Sequence, residues 1–239
     1  MRGALDTARA AVRRMGLLDG SLFALSRLLD RISGGRLRLF KYQFVAQPVA
    51  TVALLPEPGP QGIRVRAVSP ADSVVAAFPR PAAVIAARFD AGATCLVAMK
   101  GEHFAGFLWL AEKRYMEDEV RCLYVLRPDN DAAWDFDVYV VPELRLTRTF
   151  LRLWSAANEF LTARGYRWSL SRISAFNPTS MAVHHRLGLQ RLGAGIFVRA
   201  GKIQISFLTR APFLHLSVRE STYPILRLRA PSSPRGATT

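Results

Sequence analysis

Cysteine is nearly absent from this 239-residue chain. Cys95 and Cys122 are the only two. Both stand in apolar, strand-like surroundings, so they read as buried free thiols in a reducing compartment, and a disulfide framework is excluded. Histidine is also scarce, with four scattered copies, and no zinc-type spacing forms with the cysteines. No apolar run reaches the ~18 residues of a spanning helix. The N-terminal stretch lacks the continuous apolar core of a secretory signal. It is arginine-rich, but Asp6, Asp19 and Asp30 set it apart from an acid-poor transit peptide. The expected setting is therefore cytoplasmic. Acidic residues are few, 18 against 33 Lys and Arg, for a formal charge of +15. That balance favours anionic partners without choosing among nucleic acid, anionic lipid, a phosphorylated cofactor and an acidic carrier protein.

What is present divides into parts. Residues 1–55 read as a basic amphipathic extension. Between Gly20 and Gly34, Leu22, Leu25, Leu29 and Ile32 recur at helical spacing, with Arg27, Asp30 and Arg31 opposite. Such a stripe packs on its own domain or on a second subunit, or else lies on the anionic inner face of a membrane as a peripheral anchor. "RLRLFKYQFV" (36–45) alternates like a strand. "LLPEPGPQG" (54–62) breaks regular structure, so 56–62 is assigned as a linker. Residues 63–216 read as one α/β domain. The tail, 217–239, is expected to be disordered from about 230.

Within the domain, "TCLVAMK" (94–100), the turn Gly101-Glu102 and "HFAGFLWLAE" (103–112) predict a β-hairpin. "GIRVRAVS" (62–69) and "VRCLYVL" (120–126) predict strands, and Ser69-Pro70-Ala71-Asp72 a helix start. "WDFDVYVV" (134–141), a helical pattern over 146–163 and "RWSLSRIS" (167–174) form a βαβ unit with parallel strands. A short helix over 179–187 and a hairpin around Gly201 follow. The fold class is α/β (α+β): a mixed, mainly antiparallel sheet with one parallel βαβ step and flanking helices.

Two motifs in this order, "DVYVVPELR" (137–145) and "NPTSMAVHHRLGL" (177–189), resemble those of the GNAT family of acyl-CoA N-acyltransferases. The resemblance covers about 62–208. It implies an N-acyltransferase whose donor is acyl-CoA, or an acyl-carrier protein, and whose acceptor is an amine. The donor's pantetheine arm is then expected to pair with the strand edge at Tyr139, Val140 and Val141, with Arg145 at the entry to the cofactor loop. Asn177 matches a pantetheine contact; its plainer role is an Asx-turn before Pro178. The amine attacks directly, so no metal and no nucleophilic residue are required. The resemblance puts Asp137 at a base or acceptor position, with Asp135 two residues back on the same strand face. His184 stands where a leaving-group acid is expected; His185, about 100° further round the helix, does not. Glu117, Asp118 and Glu119 read as a turn or an acceptor-amine contact.

The chain departs from the family at "RLTRTF" (145–150), where glycine would let phosphate approach the backbone. Arg145, Arg148 and Arg152 share one helix face there. They form either a solvated basic face or a side-chain anion site, which suits a carrier-bound donor with a single phosphate. Two other readings stay open. One is a catalytically degraded scaffold for interaction or membrane recruitment. The other, from charge alone, is nucleic-acid binding, although no recognition-helix or aromatic–basic sheet motif is present.

Overall fold

The computed structural model describes residues 2–52, 54–59, 62–127 and 131–232, with side chains from residue 9. In chain order the elements begin with α1 (Arg2–Met15), α2 (Leu17–Ile32), β1 (Leu37–Pro48) and β2 (Ile63–Val68). Then come α3 (Ala82–Asp90), β3 (Thr94–Lys100), β4 (His103–Ala111), β5 (Arg114–Met116) and β6 (Leu123–Leu126). The βαβ unit is β7 (Ala132–Val140), α4 (Thr149–Thr162) and β8 (Trp168–Ser174). The chain continues through α5 (Pro178–Arg186), β9 (Gln190–Ala200), β10 (Ile203–Leu208), β11 (Leu214–Ser217) and β12 (Ile225–Leu228). By contacts it separates into two compact units. One holds the described residues of 1–47, 114–128 and 171–232; the other holds those of 48–113 and 129–170.

The 48–170 unit carries strands in the order β8-β7-β4-β3-β2. The hairpin β3–β4 pairs Lys100 with His103 across the expected two-residue turn. The parallel step is also present: β7 pairs with β8 through Ala132↔Trp168, Ala133↔Ser169 and Trp134↔Leu170. Two parallel strands need a crossover, and α4 supplies it. Leu153, Trp154, Ala157 and Leu161 recur at helical spacing on α4 and pack on Leu108, Leu110 and Ala133 of the sheet. Burying each such large side chain stabilises by roughly 1.5–3 kcal/mol, so this face anchors the unit. The start at Ser69–Asp72 yields only a 3-10 turn, Ser73–Ala77. Asp72 does not cap it, because its carboxylate is spent on Arg66 and the Ser69 amide.

The other unit has the order β11-β10-β9-β1 and a second sheet, β12-β6-β5. Here the sequence reading needs correction. The helix is longer than its apolar stripe: α2 starts at Leu17, after the left-handed Gly16, and Gly20 lies inside it. A Cβ at Gly20 would sit 2.5 Å from the Val12 Cα, so glycine lets α1 and α2 touch. The strand-like part of the basic extension is β1, which pairs antiparallel with β9 from Leu37↔Ala200 to Ala46↔Gln190. Residues 225–228, assigned to the tail, form β12, a parallel partner of β6. The expected disorder from about 230 falls mostly on 233–239, outside the described residues. Both cysteines are free and buried, and burial raises both thiol pKa values.

Candidate active site

The chemistry expected of β7 rests on a bulge. The register with β4 runs Leu110↔Asp135, Trp109↔Phe136 and then Phe107↔Tyr139. Asp137 and Val138 therefore oppose the single residue Leu108, and Asp137 takes a left-handed conformation, φ 46°. Aspartate tolerates that region better than most residues. The extra residue resets the side-chain alternation. Asp135 faces the side of Leu110, where its carboxylate accepts from Ser169 Oγ at 2.7 Å. Asp137 turns to the opposite side with Phe136. The two carboxylates do not share a face, because a one-residue insertion moves every later side chain across the sheet.

Asp137 is held between two arginines. Oδ2 accepts from Arg80 Nε at 2.8 Å and from Arg88 Nη1 at 2.6 Å, and Oδ1 pairs with Arg80 Nη2. Arg88 comes from α3, its side chain 6% exposed, with its guanidinium over the Trp109 and Phe136 rings. Arg80 lies over Phe107 and Tyr139. The carboxylate's lone pairs thus accept from two cations. Its geometry fits a clamp that fixes the bulge.

Of Tyr139, Val140 and Val141, the backbone of Val140 alone is shown turning away from β4. The Val141 amide donates to the Ala105 carbonyl at 3.0 Å, and the Tyr139 carbonyl lies against Gly106. The Val140 carbonyl accepts from Arg145 Nε at 3.2 Å. Arg145 thus links the β7 edge to the loop before α4. Arg148 is exposed and sits at the N-cap position of α4 without a side-chain cap. Leu146 between them is fully exposed.

Asn177 and His184 belong to the other unit. Asn177 Oδ1 accepts from the Ser180 amide at 3.0 Å, so the residue caps the N-terminus of α5 where an Asx-turn was expected. His184 is buried, with Nδ1 2.7 Å from Gln47 Oε1, whereas His185 is exposed. Burial pushes the His184 pKa down to about 4. The ring is neutral at pH 7, so an acid role through the imidazolium is not available to it in this state. Because the folded pKa lies below the unfolded value, the unfolded chain binds more protons between about pH 4 and 6.5. This group's stabilisation is complete above about 6.5 and fades as pH falls towards 4, by up to about 3 kcal/mol. We expect denaturant midpoints of wild type to fall more between pH 7 and pH 5 than those of His184→Gln. His185→Ala should match wild type throughout.

Glu117 and Glu119 share one arginine, Arg172. Glu117 is buried and bidentate with Arg172 at 2.7 and 2.9 Å. Glu119 accepts from Arg172 and from Tyr42 Oη, and Arg172 stacks over the Tyr42 ring at 4.3 Å. Sequence reasoning missed Arg80, Arg88, Gln47 and Arg172. The glycine inside the apolar strand "HFAGFLWLA" marks the close approach of β4 to β7 at Tyr139.

No family model and no curated protein matches the chain. Solved structures are similar to it. A GCN5-related N-acetyltransferase from Sphaerobacter thermophilus is 16% identical with a TM-score of 0.47, the match covering 75% of this chain and 57% of that one. One from Kribbella flavida is 9% identical with a TM-score of 0.41, covering 71% and 62%. A functionally unknown conserved protein from Staphylococcus epidermidis is 12% identical with a TM-score of 0.46, covering 73% and 67%. This chain spans less than two thirds of the length of either acetyltransferase.

Proposed function

We propose that the chain is an acyltransferase, moving an acyl group from a pantetheine thioester to an amine. The observation that carries this reading is the bulged end of β7. The left-handed Asp137 precedes Val140, whose carbonyl faces away from β4, and the ladder with β8 comprises only the three pairs ending at Trp134↔Leu170. An extended amide chain pairs with such an edge as an added strand would. Arg145 then exchanges the Val140 carbonyl for a donor phosphate, its exposed guanidinium moving from a neutral acceptor to an anion. Arg148 adds a second cation at the start of α4, where anions are already favoured. Side chains thus replace the glycine-rich backbone cradle. That suits a carrier-protein donor with one phosphate as well as acyl-CoA.

In the transfer, the amine nitrogen attacks the thioester carbonyl, the C–N bond forms and the C–S bond breaks. The nitrogen loses a proton and the thiolate gains one. The Asp137 clamp positions the strand for this step and does not take the proton. His184, neutral and bonded to Gln47, braces α5 on β1. The amine therefore enters in its neutral form, and turnover should rise with pH towards the acceptor's own pKa.

Mass spectrometry of small molecules and acyl carriers co-purified with the full chain tests this reading, followed by turnover assays with the donor found. A bound acyl thioester and transfer to amines are expected. A donor that binds without turning over would instead indicate the non-catalytic scaffold, which the committed state of Asp137 and His184 favours.

A further inference from the structure

α2 lies on one face of the β11-β10-β9-β1 sheet. Ser26 Oγ donates to the Leu39 carbonyl at 2.8 Å, and Lys41 Nζ pairs with Asp19. The cross-strand row that begins at Lys41 continues through Ile196, Phe207 and Leu214, so these side chains share the face that α2 covers. Beyond α2 the polarity of that sheet is inverted. On β10, Ile203, Ile205 and Phe207 are 47%, 37% and 49% exposed, while Gln204 and Ser206 are fully buried. On β11, Leu214 and Leu216 are exposed and Ser217 is buried. A soluble sheet puts its apolar side inward; this one presents it outward.

The same face ends at the α1–α2 turn. Leu17 and Leu18, just after Gly16, are 76% and 67% exposed, and Asp19 in that turn pairs with Lys41 at the head of the Phe207–Leu214 row. β11 is about 14 Å from β1, three strand spacings. The described charged side chains of α1 and α2 left outside ion pairs are basic. Both acidic residues of α2 are used internally, Asp19 by Lys41 and Asp30 by Arg38. Arg9, Arg13, Arg14, Arg27 and Arg31 are exposed, with no ion pair among the described residues.

We propose that this face docks on an anionic lipid bilayer. Leu17, Leu18, Phe207 and Leu214 enter the interface, and the arginines of α1 and α2 meet the headgroups. Charge complementarity selects this occupant. A second copy of the chain, paired through the same patch by a two-fold axis, would bring its own arginines against these. No helix among the described residues is long and apolar enough to span, so the contact is interfacial. This inference does not depend on the acyl-transfer reading.

Flotation of the full chain with vesicles tests it, comparing phosphatidylglycerol mixed into phosphatidylcholine against phosphatidylcholine alone. Wild type should float with the anionic vesicles, and high salt should release much of it. Leu17→Glu with Leu18→Glu, and separately Phe207→Glu, should each weaken binding by about tenfold or more, as should Arg13→Glu with Arg14→Glu. Thermal midpoints check that these exposed positions leave the fold intact. Failure of wild type to float, or equal binding by folded variants, would overturn the proposal. So would light scattering that shows a dimer broken by Phe207→Glu while lipid binding is unchanged.

Discussion

Asp137→Ala should destabilise the protein by about 3–5 kcal/mol, the cost of removing one member of a buried ion pair. The charge left behind is Arg88, whose side chain is 6% exposed and whose Nη1 loses a 2.6 Å contact to Oδ2. Its aromatic neighbours, Trp109 and Phe136, offer it ring faces but no acceptor oxygen. Arg80 suffers less, because 31% of its side chain reaches solvent. Part of the loss should be recovered by adding Arg88→Met, which removes the cation that Asp137 faced and keeps the packing. A general base would behave differently: Asp137→Ala would abolish turnover and leave stability nearly unchanged. Denaturant unfolding of the single and double variants, beside turnover, separates the two roles.

Gly106→Val should cost about 3 kcal/mol or more and remove donor binding. The ideal Cβ at Gly106 lies 2.3 Å from the Tyr139 carbonyl oxygen and 3.2 Å from the Val140 Cα. Both obstacles are backbone, so β4 and β7 must separate, beyond the 1–3 kcal/mol of ordinary overpacking. The displaced segment is the one assigned to the donor arm. Gly59→Ala, where nothing lies within 4 Å of the Cβ position, is the control and should be near neutral. Calorimetric unfolding with donor titration reads both effects.

The elements legible in the sequence were those with strong periodicity and clear punctuation. The 94–111 hairpin announced itself by two apolar runs around Gly101-Glu102, and α4 by Leu153, Trp154, Ala157 and Leu161 on one face. α3 was missed because "AAVIAARFD" follows Pro81 with no side-chain cap and runs only nine residues. β12 was missed because "ILRL" is too short to stand out, and its partner β6 lies about a hundred residues earlier. The bulge at Asp137 leaves no mark in polarity, yet it decides which carboxylate faces the arginines. Arg88 went unnoticed because arginine is seldom buried unless paired, and its pair is fixed by that bulge. The separation of His184 from His185 was legible, since adjacent helix residues point about 100° apart. What histidine type alone did not show was that burial would hold His184 neutral.

The edge of β7 near Val140, with Arg145 and Arg148, is the proposed seat of an acyl thioester donor. Isothermal titration of the full chain with acetyl-CoA, a long-chain acyl-CoA and an acylated carrier protein tests it most directly. One-to-one binding of at least one donor is expected, weakened about tenfold in folded Arg145→Glu by loss of a charge-assisted contact. Absence of binding to all three donors, or binding that Arg145→Glu and Arg148→Glu leave unchanged, would contradict it.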